Sequence, residues 1–171
     1  MKNDISAIGN ALVDTVFKVE HSLISELGLE IDQMTLSSAE EHAPIIERLI
    51  ASGADTVSDC GGSATNSLVA AASFGAKCFH ICKVSEDQDG LRYLKNLKEA
   101  GVDHKGNAAS ANSVPTGKCL ILVTPDAKRT MSTALNISSL MDESDLDLDQ
   151  VANSKIFYIE GYMVTSEENY K

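Results

Sequence analysis

Apolar positions recur along the chain in short blocks of two kinds, and their spacing predicts the elements. Residues 5–8 form a brief apolar run halted by Gly9-Asn10, as in a buried first strand. Residues 15–20 and 29–36 alternate apolar and polar, as half-exposed strands do, and residues 21–27 between them read as a short helix closed by Gly28. Ser37-Ser38-Ala39-Glu40 reads as a capping-box start. The helix it opens carries its apolar stripe on Ile45, Ile46, Leu49 and Ile50 and stops at Gly53. Residues 64–74 predict a small-residue helix suited to close packing on a sheet, and 76–84 the next strand. Residues 88–100 predict an amphipathic helix with Leu91, Leu94 and Leu97 inward. Residues 102–115 are small and polar. Residues 117–124 predict a strong strand, Pro125-Asp126-Ala127-Lys128 a turn, 129–135 its hairpin partner, and 156–161 a further buried strand. Strand–helix alternation argues for an α/β sandwich with a mostly parallel sheet. The two alternating segments after the first strand argue for a small flap beside it. Residues 162–171 follow a strand that should feed a helix, so the chain is expected to be a fragment of a longer protein.

One stretch breaks the apolar pattern in a way that suggests chemistry. Asp59-Cys60-Gly61-Gly62-Ser63-Ala64-Thr65-Asn66-Ser67 is a polar, glycine-bearing loop that runs into the small-residue helix. Adjacent glycines let a backbone turn sharply or let a ligand approach. Amides at the helix N-terminus favour anions and polar groups. Asn66 falls in the first turn, as a ligand contact or as a helix-capping residue.

Bulk properties narrow the function classes. The length of 171 residues fits one domain, and 43% apolar with 23% charged residues is ordinary for a globular chain. A net charge of −11 argues against nucleic acid and anionic membrane as partners. The N-terminal Met1-Lys2-Asn3-Asp4 does not read as a signal peptide, and no apolar run has membrane-spanning length. Cys60, Cys78, Cys82 and Cys119 form no CxxC pair and read as reduced thiols of a cytoplasmic protein, with Cys78 and Cys82 on one face of a strand.

Generic motifs fail when tested. Gly61-Gly62-Ser63-Ala64 lacks the third glycine of a dinucleotide fingerprint, which counts against an oxidoreductase of that type. Gly117-Lys118-Cys119 is not a Walker loop. Asp145, Asp147 and Asp149 resemble the start of a calcium loop, but Gln150 and Ile156 stand where Gly and Glu are required. The acidic run 142–149 therefore reads as a solvated helix or loop. His80 reads as a satisfied core group. Glu160 ends a buried strand, where α/β folds place ligand groups. Arg129 opens a hairpin strand, either as a ligand group or as a surface charge.

Four segments in order resemble one family. They are Ile8-Gly9-Asn10-Ala11-Leu12-Val13-Asp14, the Gly61–Asn66 loop with its helix ending at Phe74-Gly75, Val84-Ser85-Glu86-Asp87-Gln88-Asp89-Gly90, and Tyr158-Ile159-Glu160-Gly161-Tyr162. Together they resemble the N-terminal half of the ribokinase-like (PfkB family) sugar and nucleoside kinases, especially the adenosine-kinase-like branch. The resemblance implies a three-layer α/β sandwich with a mostly parallel central sheet. It also implies a small β-sheet lid from about 15–36 and 117–135, which excludes water and serves as a homodimer contact. It implies ATP-dependent transfer of phosphate to a primary hydroxyl of a sugar or nucleoside. Asp14 matches the carboxylate that holds substrate hydroxyls, the alternative being a turn residue. Gly61 and Gly62 match the loop that closes on the sugar, and Asn66 the substrate-contacting Asn.

The sequence departs from the family pattern at Ser85, where the family usually has Gly, and at Ser63, where ribokinases proper often have Lys. The second departure leans away from ribose, towards a nucleoside or another polyol. The family's Gly-Ala-Gly-Asp loop, with its catalytic Asp, and its Mg²⁺-organising Asn-x-x-Glu motif belong to a C-terminal half expected beyond Lys171. ATP and Mg²⁺ are thus expected for a full-length member and not for this chain alone. The other reading is a non-catalytic sugar- or nucleoside-binding or lid-dimerising module.

Overall fold

A computed structural model of the chain describes residues 3–109 and 114–165. Residues 1–2, 110–113 and 166–171 lie outside it, and with them part of the small, polar segment and the segment expected to feed a helix.

Two sheets divide the strands. The first has the order β6-β5-β1-β9, from β1 (Asn3–Ile8), β5 (Cys78–Ser85), β6 (Val102–Ala109) and β9 (Ser154–Ile159), with every pairing parallel. On one face lie α3 (Ser63–Ser73) and α4 (Gln88–Glu99), burying Ala7, Leu68, Cys82, Val84, Tyr93 and Leu97 together. The other face carries two short 3-10 turns, Asn136–Leu140 and Glu143–Asp145, and α5 (Leu148–Ala152), around Phe79, Ile81, Met141 and Met163. This is a three-layer α/β arrangement around a parallel sheet. Cys78 and Cys82 share one face, as alternation requires, and all four cysteines are free.

The second sheet has the order β3-β8-β7-β2-β4, from β2 (Leu12–Lys18), β3 (Met34–Leu36), β4 (Thr56–Gly61), β7 (Gly117–Val123) and β8 (Arg129–Ala134). One face is covered by α1 (His21–Glu26) and α2 (Ala39–Ala51), which bury Phe17, Leu23, Ile24, Ile45, Leu49, Leu120 and Leu122. The other face, with Leu12, Asp14, Ile121 and Met131, lines a cleft. No helix among the described residues is long and apolar enough to cross a membrane.

Several expectations are corrected. The small, polar segment 102–115, to which the sequence assigns no element, contains β6, which pairs along its whole length with β5. Its polar Asp103, His104 and Lys105 are tolerated because β6 is an edge strand. Residues 59–61, read as the start of the polar glycine loop, are instead the end of edge strand β4. Of 29–36, only Met34–Leu36 is strand, because a turn with positive φ at Asp32 intervenes. The capping box is one residue later than expected: Ser38 accepts from the Glu41 N–H, and Glu41 accepts from the Ser38 N–H. Ile50 and Leu91 face solvent, while Tyr93 takes the buried place on α4. The acidic run is only partly solvated. Asp145 is buried and receives the Lys83 ammonium at 2.8 Å, and Lys83 also donates to the Leu140 carbonyl.

Among the described residues the chain crosses between the sheets at 9–11, 62, 114–116 and 135. The third of these crossings is anchored by Asp87, the N-cap of α4. Its carboxylate accepts from Gly90 N at 2.7 Å, Thr116 N at 2.8 Å and Thr116 Oγ1 at 2.7 Å.

Candidate functional site

Between the second sheet and the C-terminal ends of β1 and β9 lies a cleft of about 270 Å³. This is where parallel sheets place ligand groups, since strand ends and helix N-termini converge there. Asp14, Gly62, Asn66, Glu160 and Arg129, all singled out from the sequence, line it. Gly61 lies directly behind Asp14: a Cβ on Gly61 would sit 2.1 Å from the Asp14 carboxyl carbon. Only a glycine leaves room for that carboxylate.

Glu160 organises the cleft floor. It is 2% exposed, and both oxygens are fully used. Oε1 accepts from Asn10 N at 2.6 Å and Asn10 Nδ2 at 2.8 Å; Oε2 accepts from Ser63 Oγ at 2.6 Å and Ala64 N at 3.0 Å. Glycine 9 permits this, because a Cβ there would lie 2.5 Å from the Ala64 Cβ and 2.7 Å from the Glu160 carboxyl carbon. The glycine turn is therefore not an open anion cradle. The Glu160 carboxylate already occupies the amide end of α3, a favourable place for a negative charge. Gly62 forms the turn with φ of 99°, tight against the Asn10 carbonyl, 2.3 Å from its would-be Cβ.

Two acceptors in the cleft are left for something else. No donor among the described residues hydrogen-bonds the Asp14 carboxylate. Burial pushes its carboxyl up to about 6, Arg129 opposes the rise and Asp59 adds to it. Asn10, which sequence reasoning passed over as a turn residue, is 2% exposed. Its side-chain N–H is fixed by Glu160, and its Oδ1 is buried with no partner. An unpaired buried acceptor is costly, so it signals a donor from elsewhere. Its sequence signal was its place after the first strand and Gly9. Asn66 is exposed to the same cleft. Arg129, exposed at the start of β8, supplies the positive charge on the wall.

The wall around Asp14 is otherwise largely apolar. Leu12, Met34, Leu36, Ile121, Met131 and Leu135 line the cleft from the second sheet. The register explains the grouping, since Leu36 pairs with Thr133, Thr133 with Cys119, and Cys119 with Asp14 across four strands. The wall can take a flat apolar group, and the Asp14 carboxylate and Asn10 Oδ1 can accept from hydroxyl or amine donors.

Among the described residues no cluster of three His, Cys, Asp or Glu side chains could hold a cation. An Asn-x-x-Glu string does occur at Asn96–Glu99. It lies on α4, where Asn96 donates to Asp59 at 2.9 Å and Glu99 pairs with Lys95. None of these four residues lines the cleft.

Comparison with known proteins agrees with the geometry. Ribokinase from Dictyostelium discoideum is 29% identical over 106 residues, covering 61% of this chain and 33% of that protein. A probable chloroplastic fructokinase-6 from Arabidopsis thaliana is 30% identical over 100 residues, 57% of this chain and 26% of the relative. The crystal structure of adenosine kinase from Sinorhizobium meliloti matches with a TM-score of 0.90 and 30% identity, covering 99% of this chain and 50% of that one. A probable sugar kinase from Rhizobium etli CFN 42 matches with a TM-score of 0.90 and 27% identity, over 99% and 50%. The chain thus spans about half the length of these solved structures. Residues 31–170 match the pfkB family carbohydrate kinase, and with a cleft built as described, the chain belongs to that family.

Proposed function

We propose that this chain forms the acceptor-binding side of a kinase acting on a primary hydroxyl of a nucleoside or sugar, and that it is inactive alone. The observation that carries this reading is a pair of unpartnered acceptors, the Asp14 carboxylate and Asn10 Oδ1, on residues that line a cleft with one largely apolar wall. A carboxylate can accept two hydroxyls at once, which suits a vicinal diol. Asn66 adds a side-chain amide beside the Gly61-Gly62 turn, Arg129 a cation on the wall, and Glu160 holds the floor. The apolar wall favours a nucleoside over a bare sugar, because a base has a flat apolar face to bury. The absence of the Gly-Ala-Gly-Asp loop supports inactivity, since phosphoryl transfer depends on positioned charge that these residues do not supply. ATP and Mg²⁺ belong to the proposal for a full-length member only.

Calorimetry with adenosine, ribose and fructose tests the site. Adenosine binding is expected to exceed that of either sugar. Asp14→Ala is expected to weaken it by roughly 1–3 kcal/mol, the cost of leaving polar partners unpaired. Equal affinities in wild type and variant refute the assignment, and ATP consumption by the 171-residue chain with any of the three refutes its inactivity. A homodimer through the second sheet would have to pair at edge strand β3 or β4, because one face is covered by α1 and α2 and the other lines the cleft. Sedimentation measures this.

A further inference from the structure

Directly beneath the glycine turn, the core holds three polar side chains where apolar ones would pack. Thr65 and His80 are 0% exposed and Tyr93 is 1% exposed. Thr65 Oγ1 lies 2.6 Å from the Tyr93 hydroxyl and 3.1 Å from His80 Nε2, and His80 Nδ1 lies 3.4 Å from the Ala7 carbonyl oxygen. One assignment of protons satisfies the chain. The Ala7 carbonyl only accepts, so Nδ1 carries the imidazole proton and Nε2 accepts from Thr65. The Tyr93 hydroxyl then donates to Thr65. Burial lowers His80 to about 4, which keeps the ring neutral and this direction intact at pH 7. The bonds link α4, α3, β5 and β1. They run close under the turn, since a Cβ on Gly62 would be 3.5 Å from Thr65 Oγ1.

The packing of α3 shows why such a chain has a use. The helix packs on the core through Ala64, Leu68, Val69, Ala71 and Ala72, so its two larger side chains lie past the first turn and only alanine packs apolar at its N-terminal end. Its N-cap is Gly62, with no side-chain cap bond. The first turn is held from the cleft side by Glu160 on Ser63 and Ala64. From the core side it is held by Thr65, the residue next to Asn66. Directional bonds in a low-dielectric interior specify one arrangement where smooth packing does not.

The geometry points to Tyr93, Thr65 and His80 as positioning residues for the cleft: they lock the first turn of α3 so that Asn66 and the Gly62 turn face the ligand in one orientation. The functional sense of this rests on the binding reading above, but the lock is a property of the free chain and is testable without ligand.

The variants are Thr65→Val, which keeps the shape and removes the hydroxyl, Tyr93→Phe, and Thr65→Ser as the conservative rescue. Hydrogen exchange on the free chain is expected to speed up at least tenfold at the amides of residues 64–66 in Thr65→Val and Tyr93→Phe. The last turn of α3 and β5 should keep wild-type rates, and Thr65→Ser should restore protection. The ¹⁵N resonance of His80 Nε2 is expected to shift in Thr65→Val and return in Thr65→Ser. Adenosine affinity, by calorimetry, should fall at least fivefold in Thr65→Val with the same rescue. Unchanged exchange at residues 64–66, or acceleration spread evenly over the chain, overturns the inference. If Thr65→Val does not fold, Tyr93→Phe carries the comparison, because it removes one hydroxyl without changing ring packing. If wild type binds no adenosine, the binding reading fails while the exchange pattern still decides the lock.

Discussion

Replacing Glu160 by Gln keeps the size of the side chain and exchanges one acceptor oxygen for an NH₂. Each Glu160 oxygen serves two donors, Asn10 N and Nδ2 on one side, Ser63 Oγ and Ala64 N on the other. Both donors from Asn10 are N–H groups that cannot accept, so the new NH₂ must turn towards Ser63, whose hydroxyl can reverse and accept from it. The Ala64 N–H is then unpaired in a buried place, which costs about 1–3 kcal/mol. The two bonds to Asn10 lose their charge assistance, for about 1 kcal/mol each. Relief of a buried charge offsets part of this. The net loss of stability is expected near 3 kcal/mol. With a urea slope of about 2 kcal/mol/M, the denaturation midpoint falls by about 1.5 M. Ser63→Ala, which removes one donor of the four, should cost about 1 kcal/mol, and the double variant should lose less than the sum because the two act on one carboxylate. A loss below about 1 kcal/mol in Glu160→Gln would show that the carboxylate does not carry the four bonds.

Gly61→Ala should leave the fold largely intact, because the group displaced is the end of the Asp14 side chain, 2.1 Å from the new Cβ, yet weaken adenosine binding at least tenfold by calorimetry; retained affinity would remove Gly61 from the site. The pH dependence of stability contains two opposed contributions. His80 is lowered to about 4, so its stability is present above pH 6.5 and lost as pH falls towards 4, by up to roughly 3 kcal/mol. Asp14 is raised to about 6, so its charged form is disfavoured in the fold, and protonation below pH 6 returns stability. Asp14→Asn should therefore stabilise the chain at pH 7 and steepen its loss of stability between pH 6.5 and 4 in urea titrations; an unchanged slope counts against the Asp14 shift, and a variant that loses no stability between pH 6.5 and 4 counts against that of His80. Lys83→Met strips the buried Asp145 carboxylate of its ammonium and should cost roughly 3 kcal/mol, most of it recovered in the Lys83→Met/Asp145→Leu double variant; a single-variant loss below about 1 kcal/mol would exclude a buried pair.

Much of the architecture was legible because periodicity reports burial. Residues 5–8, 76–84 and 117–124 are apolar runs, and each is a central strand. The elements missed, β4 and β6, are edge strands whose polar residues, Ser58 and Asp59 in one and Asp103, His104 and Lys105 in the other, interrupt any apolar run. The apolar run at 156–159 misled in the other sense: β9, expected to be buried, is an edge strand with Ile156, Phe157, Tyr158 and Ile159 exposed. Ile50 and Leu91 were misassigned because a stripe read at 3.6 residues per turn does not say where its margin lies, and packing turned Tyr93 inward instead. Asp14 and Gly61 could be singled out from the motif, but their mutual dependence could not, because it arises from antiparallel pairing of β2 with β4. Asp145 looked like one solvated acid among several. Its burial depends on Lys83, 62 residues away in sequence. Asn10 carried no chemical signal until its unpartnered oxygen could be seen.

The places where the chain passes from one sheet to the other have a mechanical consequence. Asn10 is pinned by Glu160, Gly62 abuts the Asn10 carbonyl, and Thr116 is pinned by Asp87. These ties fix the spacing of the two sheets at the cleft. Asn10 is held by a carboxylate that follows the first sheet, whereas Asp14 and Arg129 belong to strands of the second. A ligand that touches all three spans the seam between the sheets and acts as a gauge of their separation: it is fully held at one spacing.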